Sequence, residues 1–191
     1  MFYMHKSIQR QSCAMGYGFW ATEPIPANTV VLAEKPLMLK GARESTSDTM
    51  FALIKLAWDT RRAEFLRLAP RDNDVSVEYS IIREAHQRHV PHLSRKEARL
   101  FATKYVRNAF ATADGPALLF QGAVFNHSCE PNVMFSLQAG VMVFRTCRDV
   151  REGEQLFDQY GSANKKNRDK RAYHARLREQ YGFQCACLTR K

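Results

Sequence analysis

Residues 125–133, reading Phe-Asn-His-Ser-Cys-Glu-Pro-Asn-Val, constrain this chain more than any other stretch. They set polar, turn-forming and metal-competent side chains between two apolar segments, residues 117–124 and 133–143. A buried Asn or His without partners costs roughly 1–3 kcal/mol, so a polar island flanked by core-like sequence implies an organised site. The rest of the chain must fold so as to support it.

The size of that support follows from composition. At 191 residues, with 45% hydrophobic and 25% charged residues, the chain can build one well-buried domain. No apolar run approaches the ~20 residues of a membrane span, and the N-terminus lacks a signal-peptide core, so the reading is a soluble intracellular protein. Five cysteines, Cys13, Cys129, Cys147, Cys185 and Cys187, show no regular spacing and fit a reducing compartment, as thiols or metal ligands. Charge is uneven within the net +10. Residues 161–191 hold nine Lys and Arg against Asp169 and Glu179, whereas residues 120–160 hold three Arg against five carboxylates. The basic segment reads either as a solvated helix face or as a contact for nucleic acid, chromatin or another acidic partner.

Upstream, Gly16-Tyr17-Gly18-Phe19-Trp20 precedes a Pro26-Ala27-Asn28 turn and the β-rich Thr29-Val30-Val31-Leu32, giving strand, glycine loop, turn and strand. No helix pattern follows the glycines, which excludes a dinucleotide fingerprint. Residues 46–68 switch to helical spacing, with Phe51, Ile54, Trp58 and Phe65 on one face and a stop before Pro70. Residues 70–93 show no clear periodicity; His86, His89 and His92 read as surface histidines because Pro91 breaks any helix that would align them.

A second helix begins at Ser94, paired with Glu97 in a capping box, and turns Ala98, Phe101, Ala102, Tyr105 and Ala109 inward. Asn108 falls on that apolar face and must either tie down a neighbouring loop or meet a ligand. Beyond the polar island, residues 133–137 and 141–146 form a hairpin through Ala139-Gly140, and residues 156–160 form a short strand. A basic helix over 164–180 carries Ala172, Ala175 and Leu177 as a thin apolar stripe. The class is therefore mainly β with helices, α+β.

Taken in order, Gly16-Tyr17-Gly18-Phe19-Trp20-Ala21-Thr22, Asn126-His127-Ser128-Cys129-Glu130-Pro131-Asn132, Gly153-Glu154 with Tyr160-Gly161, and Phe183-Gln184-Cys185-Ala186-Cys187 resemble the SET-domain protein lysine methyltransferases. The resemblance covers residues 14–37 and 105–187. It implies a single SET domain over 1–191, a β-clip fold of small sheets, with 38–104 as a variable helical insert, a C-terminal helix, and 181–191 as a truncated cysteine segment.

It further implies transfer of a methyl group from S-adenosylmethionine to a lysine of a protein, histones included. The cofactor site would comprise Gly16, Tyr17, Gly18, Phe19, Asn108, Asn126, His127, Tyr181 and Phe183, with Tyr160 at the methyl-transfer centre. Asn108 matches an asparagine of the family branch that also carries a MYND zinc finger, which moves that residue towards a ligand role; no MYND cysteine cluster is present. Zinc in this family is held by four thiolates, and Cys129, Cys185 and Cys187 leave the set one ligand short. Three adjacent positions depart from the family pattern: Gln159 stands where Asp is frequent, and Phe157-Asp158 replaces a Thr and an apolar residue. A SET-fold binding module without turnover, contacting chromatin or nucleic acid through residues 161–191, is the alternative reading. Either protein would be nuclear or cytoplasmic.

Overall fold

A computed structural model gives the fold and describes residues 2–14, 16–39, 41–42, 44–70, 75–161 and 170–185. In chain order the elements are β1 (Phe2–Met4), β2 (Ile8–Cys13), β3 (Gly16–Ala21), β4 (Val30–Glu34), α1 (Ser47–Arg67), α2 (Tyr79–His89), α3 (Arg95–Asn108), β5 (Ala109–Thr112) and β6 (Gly115–Leu118). A 3-10 turn (Gly122–Val124) leads to β7 (Asn126–His127), β8 (Val133–Gln138), β9 (Val141–Thr146), β10 (Gln155–Asp158) and α4 (Lys170–Tyr181). The chain divides into two compact units, one of Met1–Lys35 with Gln121–Lys191, the other Pro36–Phe120.

In the first unit, two four-stranded sheets run in the orders β1-β4-β9-β8 and β2-β3-β10-β7. The β8–β9 hairpin forms because Ala139 and Gly140 both take positive φ, +48° and +76°, the backbone of a two-residue type I′ turn. Alternation then buries Met142 and Phe144 on the inner face of β9. Phe144 stacks on Phe125 at 4.8 Å between ring centroids, and Phe125 meets Phe19 at 5.0 Å. All three rings are buried, each worth roughly 1.5–3 kcal/mol of transfer free energy. The polar island is thus anchored by its own first residue.

Its penultimate residue is anchored by hydrogen bonds. Asn132 is wholly buried; its amide donates to the Gln155 carbonyl at 2.9 Å and its Oδ1 accepts the Phe157 N–H at 2.7 Å. Between these anchors β7 pairs in parallel with β10, Asn126 opposite Phe157 and His127 opposite Asp158. Buried Glu34 accepts the N–H groups of Gln121 and Gly122, both at 2.9 Å, and so fixes the turn that leads into the island.

In the second unit α1 starts at the N-cap Thr46 and buries Phe51, Ile54 and Phe65, with non-helical backbone at Arg61. Trp58 is half-buried, its ring 5.3 Å from Phe101. The Ser94–Glu97 capping box opens α3 as its spacing predicts, and Ala98, Phe101, Ala102 and Tyr105 are buried. Ala109 instead caps α3 and begins a β5–β6 hairpin that helical spacing does not reveal. The unreadable stretch contains α2, which ends at His89 before Pro91. His86 corrects the surface reading: it is buried, with one ring nitrogen 3.0 Å from the Tyr79 hydroxyl and the other 3.0 Å from the Leu93 carbonyl.

Helix α4 also differs in its buried face. Ala172 and Ala175 are exposed, and Tyr173 and His174 join Leu177 inside, because large rings fill the space beside the tyrosine cluster described below. The expected helical positions 164–169, and Cys187, lie outside the described residues.

Candidate functional site

The site builds outward from the two residues of β7, whose side chains point to opposite faces. Asn126 turns towards β3: its Nδ2 donates to the Tyr17 carbonyl at 3.0 Å and lies 3.6 Å from Cys13 Sγ. That amide and Gln155 press against Gly18 so closely that a Cβ there would sit 2.7 Å from Asn126 Nδ2 and 2.3 Å from Gln155 Nε2. Only glycine fits. Gly16 holds φ +106°, a backbone that side chains disfavour, and closes the register of β2 with β3 opposite Cys13.

Tyr17 is partly exposed, with the Arg10 guanidinium 4.2 Å over its ring. Phe19 is fully buried in the core against Phe125, so its backbone alone is left to meet a ligand. Gln155, which sequence reasoning missed, places a buried Nε2 with no hydrogen-bond partner among the described residues beside this glycine backbone. A glycine cradle with an unspent buried donor is a place where a polar ligand can be received, and the pattern fits the backbone-lined cofactor site that the sequence implies.

His127 turns the other way. Its Nδ1 accepts the Tyr160 N–H at 3.0 Å, and its Nε2 lies 3.4 Å from Cys129 Sγ. Tyr160 is held at three further points: its hydroxyl donates to the Phe125 carbonyl at 2.7 Å, its carbonyl accepts the Tyr173 hydroxyl at 2.6 Å, and its ring lies 4.8 Å from that of Tyr181. Phe183 packs edge-on to Tyr160 at 6.2 Å and lies 5.7 Å from His127. Tyr160, Tyr181, Phe183, His127, Cys129 and Cys185 are therefore brought together, while Gly16, Tyr17, Gly18 and Asn126 gather along β3.

Asn108 belongs to the second unit, where its amide donates to the carbonyls of Ala69 at 2.6 Å and Lys104 at 2.7 Å, which is the loop-tying use of that side chain.

Electrostatics follow burial. Desolvation pushes the Asp158 carboxyl up to about 7, against one stabilising hydrogen bond from the Gln159 N–H. Burial, then the nearby Asp158 charge, raises the Tyr160 phenol far above its usual value, and burial raises Tyr181. The tyrosine is thus a neutral hydroxyl and no base. Arg148, 2.6 Å away, holds Glu154 down to about 2.

The sulfur atoms of Cys129 and Cys185 lie 3.6 Å apart and are not disulfide-bonded. Two thiolates on a tetrahedral zinc, each at about 2.3 Å, stand about 3.8 Å apart, so this pair fits one edge of such a site. Among the described residues, His127, Cys129 and Cys185 bring three donor atoms of metal-binding type within 4.8 Å of one another.

Two small four-stranded sheets, one ending in a parallel β10–β7 pair, with a Tyr-Gly and a pair of cysteines beside that pair, define the class of the protein. The chain belongs to the SET domain family, which it matches over residues 16–161. It is 31% identical to a SET domain-containing protein of Acanthamoeba polyphaga mimivirus, over 90% of this chain and 72% of that protein. The N-lysine methyltransferase SMYD2-B of Xenopus laevis is 24% identical over 96% of this chain and 42% of its own length. Among solved structures, the SET domain of LSMT bound to MeLysine and AdoHcy superposes with a TM-score of 0.66 at 13% identity, covering 96% of this chain and 54% of that one. Rubisco LSMT bound to AdoMet gives 0.62 at 13% identity, covering 93% and 52%. The chain thus spans under half of that SMYD2 relative and about half of the solved chains. No helix among the described residues is long and apolar enough to cross a membrane.

Proposed function

We propose that this chain transfers a methyl group from S-adenosylmethionine to the side-chain amine of a lysine in a protein substrate. The observation that carries the reading is the fixing of Tyr160 by its N–H, its carbonyl and its hydroxyl at once. Bound S-adenosylmethionine supplies a methyl carbon on a sulfonium, which leaves as a neutral thioether. The Gly16–Gly18 backbone and the Asn126 and Gln155 amides would hold the cofactor, and Tyr181 and Phe183 would wall it from water. Tyr160, neutral through burial, offers its oxygen lone pairs to orient the incoming amine.

The lysine Nε would take the methyl group as its bond to sulfur is given up, and the product ammonium would yield its proton to solvent. Such a displacement needs a neutral amine, in-line alignment and little water. A partly buried aromatic cluster, packed on buried Tyr173 and Leu177, would supply the alignment and the dryness. It also lowers the amine pKa from ~10.4, because burial disfavours the ammonium. Cys129 and Cys185 would hold a zinc that ties the C-terminal segment to the site, with Cys187 as the third thiol that the resemblance implies.

Histones are the first substrates to assay, the basic residues of 161–191 would contact nucleic acid or chromatin, and the protein would act in the nucleus or cytoplasm. The purified chain should move radiolabel from S-adenosylmethionine into a protein mixture and lose most transfer as Tyr160→Phe. A chain that shows no cofactor binding by calorimetry, yet binds DNA with steep salt dependence, would instead be a binding module acting through its lysine- and arginine-dense end.

A further inference from the structure

We propose that the His127 imidazole is a positioning group which donates an N–H···S hydrogen bond to Cys129 while accepting the Tyr160 N–H, so that the thiolate lobe fixes the backbone of the tyrosine. Distance alone leaves its role open. Nε2 lies 3.4 Å from Cys129 Sγ, and a histidine nitrogen and a thiolate sharing a tetrahedral zinc stand about 3.5 Å apart. The other ring nitrogen decides. A backbone N–H can only donate, so the 3.0 Å contact from Tyr160 requires a lone pair on Nδ1. A neutral imidazole with an acceptor at Nδ1 carries its proton on Nε2. A protonated Nε2 is a donor and cannot ligate a metal; ligation there would need an imidazolate or would break the bond to Tyr160.

Of the three clustered donor atoms, the two sulfurs are therefore the ones left able to ligate, and the third atom is a hydrogen-bond donor to one of them. Such outer donors orient the group they touch, and their loss typically lowers metal affinity 10–100-fold. The line runs from Cys185 through Cys129 and His127 to the Tyr160 backbone in three contacts of 3.6, 3.4 and 3.0 Å. Tyr173 braces the same tyrosine from its carbonyl side. The catalytic meaning of that bracing rests on the proposed methyl transfer; the protonation state of His127 does not.

The full chain labelled with 15N in histidine, and in backbone amides, separates the two. Long-range proton–nitrogen spectra should show His127 with Nε2 protonated and Nδ1 bare, both before and after zinc is added. The Tyr160 amide resonance should move on Cys129→Ala by several times its movement on Cys185→Ala, because the first change removes the acceptor of His127. A proton on Nδ1 in the metal-free chain, or loss of the Nε2 proton on zinc addition, overturns the proposal, as does a Tyr160 amide indifferent to Cys129→Ala in a variant whose circular dichroism is native. His127 is assigned among the six histidines as the signal absent from His127→Asn. Absence of methyl transfer with the expected tautomer present would refute the enzymatic reading and leave the hydrogen-bond assignment standing.

Discussion

Replacing Asp158 by Asn should stabilise the protein at alkaline pH and do progressively less as the pH falls. The carboxyl is 4% exposed, and burial moves its pKa from 3.8 to about 7. The sign follows from proton linkage. The folded state holds a proton that the unfolded chain releases between pH 3.8 and 7, so wild-type stability declines as pH rises through that window and is flat above it. A shift of about three units at 1.36 kcal/mol each gives a full cost of about 4 kcal/mol at pH 8 and about 1 kcal/mol at pH 4.5. Asparagine keeps the acceptor that Oδ1 offers the Gln159 N–H and does not titrate. Its extra N–H donors add a penalty of about 1–3 kcal/mol that is the same at both pH values. The measured quantity is thus the change in the mutant-minus-wild-type stability between pH 4.5 and 8, expected near 3 kcal/mol by urea denaturation with matched m-values. A change below about 1 kcal/mol would refute the argument that a buried, inadequately solvated carboxyl sits beside Tyr160.

Further outcomes follow from neighbouring groups. Tyr160→Phe removes the hydroxyl bonded to Phe125 and should cut the rate of label transfer on the order of 10²-fold, with cofactor affinity by calorimetry little changed. Gly18→Ala places a methyl against Gln155 and Asn126; Gln155 can swing away but Asn126 is tied to Tyr17, so a loss of about 1–3 kcal/mol in denaturation and a clear drop in cofactor affinity are expected. Asn132→Ala strands the Phe157 N–H and the Gln155 carbonyl in the core and should cost on the order of 3 kcal/mol in thermal or urea unfolding. Glu154, held at about 2 by Arg148, adds stability above its unfolded value of 4.5 that disappears as pH falls towards 2; Arg148→Ala should flatten that acid limb of the stability curve.

What could be read from the sequence was whatever local chemistry decides. The β8–β9 hairpin follows from alternation and a glycine turn, and the start of α3 from two side chains three residues apart. The elements that escaped lack such signals. Helix α2 begins at Tyr79 after the N-cap Glu78, which makes no side-chain cap bond, and buries only Ile82, Ala85 and His86. The β5–β6 hairpin follows α3 without a loop, so the helical stripe runs straight into it; Asp114-Gly115 was the turn signal that could have revealed it. Gln155 was invisible because a Gln in a four-residue strand has no distinguishing pattern, and its meaning arises from Gly18, far away in sequence.

The polar island itself held more information than its composition. In an extended chain, neighbouring side chains alternate and residues two apart share a face. Asn126 and His127 must therefore part company, and His127 and Cys129 can lie together, whatever the surrounding fold. The structure realises this: the amide of Asn126 reaches the Tyr17 carbonyl on β3, whereas His127 and Cys129 meet 3.4 Å apart on the side of Tyr160 and Cys185. Two adjacent residues thus serve two different groups, one the glycine backbone that would hold a cofactor, the other the tyrosine and the thiolates. Because β10 pairs with both in parallel, its Gln155 and Phe157 share one face and its Leu156 and Asp158 the other, so the missed Gln155 and the buried acid are divided between the same two sides. A register slip of one residue in β7 would exchange the sides and disable both, which is why Phe125 and Asn132, the bulky and hydrogen-bonded anchors at either end, are buried so completely.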